Sequence, residues 1–147
     1  MTSTRCGGSD SPCCRDVIKH VGFYGGRRHP HVLLYYLCRC WSVTAYSSGA
    51  FIAAELSRYN VDIAALSESR LADEGSLTEV GGGYTFSWKG LHSDDRRIHG
   101  VGFAIRTSLL SQITESPVGI NAPLMTLRLP LIKGRYMTVV SAYAPTL

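Results

Sequence analysis

The sequence predicts an α/β fold, and three observations carry that prediction: a β-prone run with aromatics from Val32 to Trp41, a helical stripe at Ile52, Leu56 and Tyr59, and a short apolar run from Val61 to Leu66. Spacing at i, i+4 and i+7 puts the middle three side chains on one face of a helix, whereas a short apolar run with small residues suits a strand covered on both sides. The unit therefore reads strand, helix, strand. A chain of 147 residues holds one domain at most. With hydrophobic residues at 45% and charged residues at 18%, it can build a core and is not disordered throughout.

Taken in order, the first element is preceded by a segment of different character. Residues 1–30 are rich in Ser, Gly, Pro and Arg, with breakers at Gly7-Gly8 and Gly25-Gly26, and read as a low-complexity, disordered arm ahead of a domain at 31–147. Six bases against two acids lie in residues 1–50, while nine bases and nine acids balance in residues 51–147, so the whole formal charge of +4 belongs to the first third. A basic arm of this kind can hold nucleic acid weakly and in a salt-sensitive way.

Cys6, Cys13, Cys14, Cys38 and Cys40 also precede residue 50. Their odd number and the lack of a signal peptide disfavour a disulfide framework. A zinc site built from them with His20, His29 and His31 is also disfavoured, because neighbour pairs and x-separated pairs do not give the spacing that lets two ligands reach one tetrahedral ion. The longest apolar stretch, Val32 to Cys38, is far short of a membrane span. These features together read as a soluble intracellular protein, nuclear or cytoplasmic, with no membrane partner.

After the first strand, Ser47-Ser48-Gly49 offers a helix start through serine capping, and Asn60, which tolerates the left-handed conformation, ends the helix. The strand at Val61 to Leu66 follows. Past Glu74 the chain reads as consecutive strands: Tyr84 to Trp88, Val101 to Ile105 with Gly102 inside it, and Met125 to Leu131. Pro130 marks the end of the last of these. Lys133-Gly134 turns the chain into a final strand at Arg135 to Ala142, which makes a hairpin of the last pair.

Two positions stand where chemistry is expected. Glu68, in Ser67-Glu68-Ser69-Arg70, sits directly at the carboxyl end of a buried strand, where open α/β sheets bind ligands. A carboxylate there can hold a hard cation such as Mg2+, which uses only one or two protein carboxylates and keeps most of its waters. The competing account is a surface glutamate opening a loop. Tyr143, in Ser141-Ala142-Tyr143-Ala144-Pro145, stands at the end of another apolar strand, where its phenol could reach a phosphate oxygen or its ring could simply pack. The segment His92 to His99 (HSDDRRIH) reads as a solvated polar loop, through which Arg96 and Arg97 could face nucleic acid.

The stretches ELSRYNVDIAALSESRL, GGGYTFSWKG, HGVGFAIR and LMTLRLPLIKGRYMTVVSAYAPTL, from about Phe51 to Leu147, resemble the amino-terminal half of the endonuclease/exonuclease/phosphatase superfamily. The likeness is greatest to the apurinic-type endonuclease domain of non-LTR retrotransposon polyproteins, which accompany a reverse transcriptase, and to craniofacial development protein 2-like proteins. The resemblance implies a four-layer α/β sandwich of two facing sheets flanked by helices, acting on DNA with Mg2+. It makes Glu68 the metal-binding glutamate and Tyr143, with Pro145, the tyrosine of a Y-x-P motif near the scissile phosphate. Where the family has the asparagine of W-N-V helping to order the metal, this chain has Ser42 in Trp41-Ser42-Val43, so that ligand is replaced or misaligned.

The 147 residues contain neither the family's G-D-F-N, which activates the water and holds the phosphate, nor its S-D-H. On that resemblance, a truncated fragment is expected, with the first sheet and its helix but not the second sheet, inactive as it stands, and prone to self-association through the uncovered sheet face. The alternative is a non-enzymatic module that binds nucleic acid or a partner chain through the basic arm.

Overall fold

A computed structural model describes residues 32–34, 45–67, 69–95 and 100–144; the expected arm at 1–30 lies outside them. The described elements run β1 (Val32–Leu34), α1 (Ala45–Arg58), β2 (Ile63–Ser67), β3 (Glu74–Glu79), β4 (Tyr84–Gly90), β5 (Gly100–Arg106), α2 (Thr107–Leu110), β6 (Val118–Asn121), β7 (Leu124–Pro130), a 3-10 turn at Ile132–Gly134, and β8 (Tyr136–Ala142). They form two sheets. The first has the strand order β1-β2-β5-β4-β3 and the second β6-β7-β8. The strand, helix, strand unit expected from the sequence is present, with β1 parallel to β2 and α1 between them in the chain. Every other pairing is antiparallel.

Alternation along β2 explains the layers. Ala64 and Leu66 point into a core shared with Ile52, Ala53 and Leu56 of α1 and with Tyr84 and Phe86 of β4. Ile63 and Ala65 point the other way, into a second core with Val101, Phe103 and Ile105 of β5 and Met125, Leu127 and Leu129 of β7. Since successive side chains of a strand point to opposite faces, a strand buried at all five positions must be covered twice. Helix, sheet and sheet thus make three stacked layers.

That arrangement corrects the expectation of a missing second sheet and an uncovered sheet face. The inner face of the first sheet is covered by β6, β7 and β8 of the same chain, through the buried alternate residues of β7. The hairpin β7–β8 itself is as expected, with Leu127 opposite Val139 and the turn residues Lys133 and Gly134 at φ +64° and +69°. Its apolar alternation fits any half-buried sheet, so the sequence could not say that it forms a sheet of its own. Two further strands escaped the pattern. β3 carries only Leu77 as a large apolar residue, and β6 is four residues long with a register shift between Gly119 and Asn121.

The end of α1 shows how sequence sets the approach to β2. Asn60 adopts φ +53°, its N–H donates to the Ser57 carbonyl at 3.0 Å, and the Val61 N–H donates to the Leu56 carbonyl at 3.0 Å. These are the two bonds of a Schellman motif, and the accompanying apolar contact is Val61 with Leu56 in one core. The Tyr84 hydroxyl donates to the Val61 carbonyl, and Arg106 donates to the same carbonyl at 3.2 Å, to Asn60 Oδ1 at 3.1 Å and to Asp62 Oδ1 at 2.9 Å. The helix end is thereby tied to β4 and β5.

Burial pushes the Tyr84 phenol above its ordinary value; Arg106 opposes the shift and Asp62 adds to it. A raised folded-state value means that this contribution to stability is fully present below the unfolded tyrosine value of about 10 and is lost as pH rises through the folded value. Tyr84→Phe should therefore flatten the alkaline limb of a stability–pH profile. At neutral pH it should cost about 1 kcal/mol, because Arg106 still satisfies the Val61 carbonyl. An alkaline limb identical in the variant, followed by urea unfolding, would reject this role.

Candidate functional site

The site is built at the carboxyl ends of β2 and β8, which the fold brings side by side. Ser141, buried near the end of β8, donates from Oγ to the Leu66 carbonyl at 3.1 Å. Leu66 is two positions before Glu68 and Ser141 is two before Tyr143, so the strands carrying the two expected residues end together although 75 positions separate the bonded pair. Nothing in either hexapeptide alone foretells that contact. The signal was a serine at a position of β8 where an apolar residue would otherwise face the core.

Glu68 itself lies outside the described residues. Its flanks are described and chemically unusual. Ser67 and Ser69 are buried, Ser69 to 1% exposure, and neither hydroxyl has a hydrogen-bond partner among the described residues; the Arg70 Nε is likewise buried without one among them. A buried polar group left unpaired costs roughly 1–3 kcal/mol, and three such side-chain atoms fall within four residues around Glu68. The signal for these hydroxyls in the sequence is the Ser67-x-Ser69 pattern directly after an apolar strand.

The loop that follows is pressed onto the first sheet. Gly90 and Gly100 are register partners on β4 and β5. A Cβ on Gly90 would fall 1.7 Å from the Leu71 carbonyl oxygen, and one on Gly100 would fall 2.3 Å from Ser69 Oγ. Only glycine permits so close a backbone approach at these two positions. The Ser69 N–H donates to the Gly100 carbonyl at 3.1 Å, the Asp73 N–H to the Leu91 carbonyl at 2.8 Å, and Trp88 Nε1 to the Ala72 carbonyl at 3.3 Å. Arg70 and Asp73 take left-handed backbone with φ of +52° and +55°. The segment leaving β2 is therefore fixed on both sides of Glu68.

Tyr143 is half-buried, packs against the core between the sheets, and donates its N–H to the Pro123 carbonyl at 2.9 Å. Its ring thus has the packing role that the sequence allowed, at the strand end where a phosphate contact was also expected. Other expected residues are not brought here. Ser42, Arg96, Arg97 and Pro145 lie outside the described residues, as do the five cysteines with His20, His29 and His31. His92, Asp94 and Asp95 are exposed in the loop after β4, with His92 Nδ1 3.4 Å from Asp94 Oδ2. Among the described residues there is no group of three or more His, Cys, Asp or Glu side chains placed to share a metal ion. Nor is any helix among them long and apolar enough to cross a membrane. No family model matches this chain, and no curated protein matches it either.

Proposed function

We propose that this chain is the amino-terminal half of a Mg2+-dependent DNA endonuclease domain of the endonuclease/exonuclease/phosphatase type, of retroelement origin, and that by itself it does not hydrolyse DNA. The observation that supports the reading most is the Ser141–Leu66 hydrogen bond, which sets the strand ends bearing Glu68 and Tyr143 side by side. Two residues singled out separately, far apart in the chain, then belong to one end of one sandwich. A carboxylate flanked by buried hydroxyls that have no partner among the described residues suits a hard cation that keeps most of its waters. When bound, such an ion would polarise a phosphate oxygen and lower the barrier to attack by water.

In this reading Glu68 supplies the negative charge on this side of the cation, beside the buried hydroxyls of Ser67 and Ser69. Tyr143 follows the neighbouring strand end, with its ring packed on the core between the sheets. The water-activating and transition-state groups, which in the family come from G-D-F-N and S-D-H, are not among these 147 residues. Loss of one core member of a catalytic unit already costs about 10^4-fold, and such losses are not additive.

A fusion tests this. The chain joined to the carboxyl-terminal half of a family endonuclease should nick supercoiled plasmid in Mg2+, and the chain alone should not. A fusion that melts cooperatively yet never nicks would overturn the proposal, and DNA retention without nicking would point to the binding-module reading instead.

A further inference from the structure

We propose that β8 is an association edge, through which two copies of this chain pair antiparallel and join their three-stranded sheets into one six-stranded sheet. Among the described residues β8 is the terminal strand of the second sheet, hydrogen-bonded to β7 alone. A terminal strand presents a row of unpaired N–H and C=O groups, and proteins usually defend such edges with charge, shortness or a bulge.

The other edges of the described sheets differ. β1 has three described residues, and β6 has four with a register shift. β3 has a glutamate at each end, Glu74 and Glu79. Pairing β3 with a second copy of itself about its centre would set Glu74 directly opposite Glu79 twice over, and like charges directly opposite are destabilising.

β8 has none of these defences. It runs for seven residues, Tyr136 to Ala142, without a charge, a proline or a register shift. A two-fold axis through Val139 sets Tyr136 of one copy opposite Ala142 of the other, Met137 opposite Ser141, and Thr138 opposite Val140. No pair in that register opposes like charges. The outer face agrees: Tyr136 and Val140 are about half exposed, at 51% and 48%, and Val140 continues a cross-strand row through Thr126 to Val118, itself 54% exposed. Across the axis this row would run on into Thr138 of the second copy, an uncharged row of Val and Thr that ends at that copy's Arg128.

The nearest charge on that face is Arg128, opposite Thr138 on β7, whose guanidinium lies 4.1 Å from the Tyr136 ring centroid and 3.4 Å from Glu115. In the paired sheet the two β7 strands stand three strand spacings apart, roughly 14 Å, beyond the Debye length of about 10 Å at 0.1 M salt. The arginines therefore do not oppose the pairing. A seam of one strand per copy is small, so the dimer belongs to the weak, transient class.

Sedimentation velocity over a concentration series tests this, with amide exchange on β8 as a second readout. The protein should pass from monomer to dimer, and protection of the β8 amides should rise with concentration. Thr138→Lys combined with Val140→Lys places lysine opposite lysine twice and should weaken the dimer by roughly tenfold or more, with the thermal transition retained because both positions are exposed. Thr138→Lys combined with Val140→Glu places opposite charges in the same register and should restore it. A monomer at every concentration would overturn the proposal. So would two double variants equally impaired, because that result assigns association to the apolar face and not to strand pairing.

Discussion

Replacing Phe103 with alanine should destabilise the fold by roughly 3–5 kcal/mol, the range for truncating a buried aromatic in a core that cannot collapse around the void. Phe103 is fully buried on β5, paired to Ala65 on one side and Ser87 on the other, and its ring faces the second sheet in the cluster with Met125, Leu127 and Leu129. Domain stability is only about 5–15 kcal/mol, so this loss removes a large share of it. Urea unfolding of the variant beside Phe51→Ala, whose ring is 40% exposed on α1, separates burial from ring chemistry. A Phe103→Ala cost no greater than that of Phe51→Ala would mean that the second sheet does not seal the first. The parent chain should melt cooperatively and ignore ANS, opposite to what half of a sandwich with a bare face would do.

That contrast locates what the sequence could and could not show. Strand, helix and strand were legible because Ile52 and Leu56 are one helical turn apart and Asn60 takes the left-handed backbone expected of it. Tyr59, placed on the same stripe by the sequence, instead lies just past the helix end and is half exposed, and Ala53 is buried beside the other two. The β7–β8 hairpin was legible for the same kind of local reason: Lys133 and Gly134 supply the positive φ that its turn demands. What a strand pairs with is not local. Met125, Leu127 and Leu129 alternate as they would in any half-buried strand, and nothing in their order says that they lie across from Ile63, Ala65 and Phe103. β3 was lost because glutamates at both ends of an edge strand erase the apolar alternation by which strands are recognised.

The site divides in the same way. Glu68 and Tyr143 could be picked out one at a time, each by its place after an apolar run, but the Ser141–Leu66 contact that sets their strand ends together is tertiary. Gly90 and Gly100 carry no local mark that sets them apart from the chain's other glycines. Their use, to let the segment after β2 lie against the sheet, depends on being opposite each other in register.

In the fusion with a family carboxyl-terminal half, Glu68→Ala should be the most damaging single change available in this segment. On the proposed reading it removes the formal charge that this side would bring to the cation, and metal stabilisation of a phosphoryl transition state is worth several kcal/mol, which corresponds to a loss of about 10^3-fold in rate. Tyr143→Phe removes one phenolic hydroxyl and keeps the ring that packs against the core, so its cost should be about 1–2 kcal/mol, roughly 5- to 30-fold. Raising Mg2+ should recover part of the activity of the Glu68 variant, whose defect is in metal affinity, and none of that of the Tyr143 variant. Single-turnover nicking across a Mg2+ series reads both quantities. A Glu68→Ala fusion as active as its parent would place the metal elsewhere, and equal damage from the two substitutions, unrelieved by Mg2+, would make Glu68 a structural residue of the loop that Gly90 and Gly100 hold down.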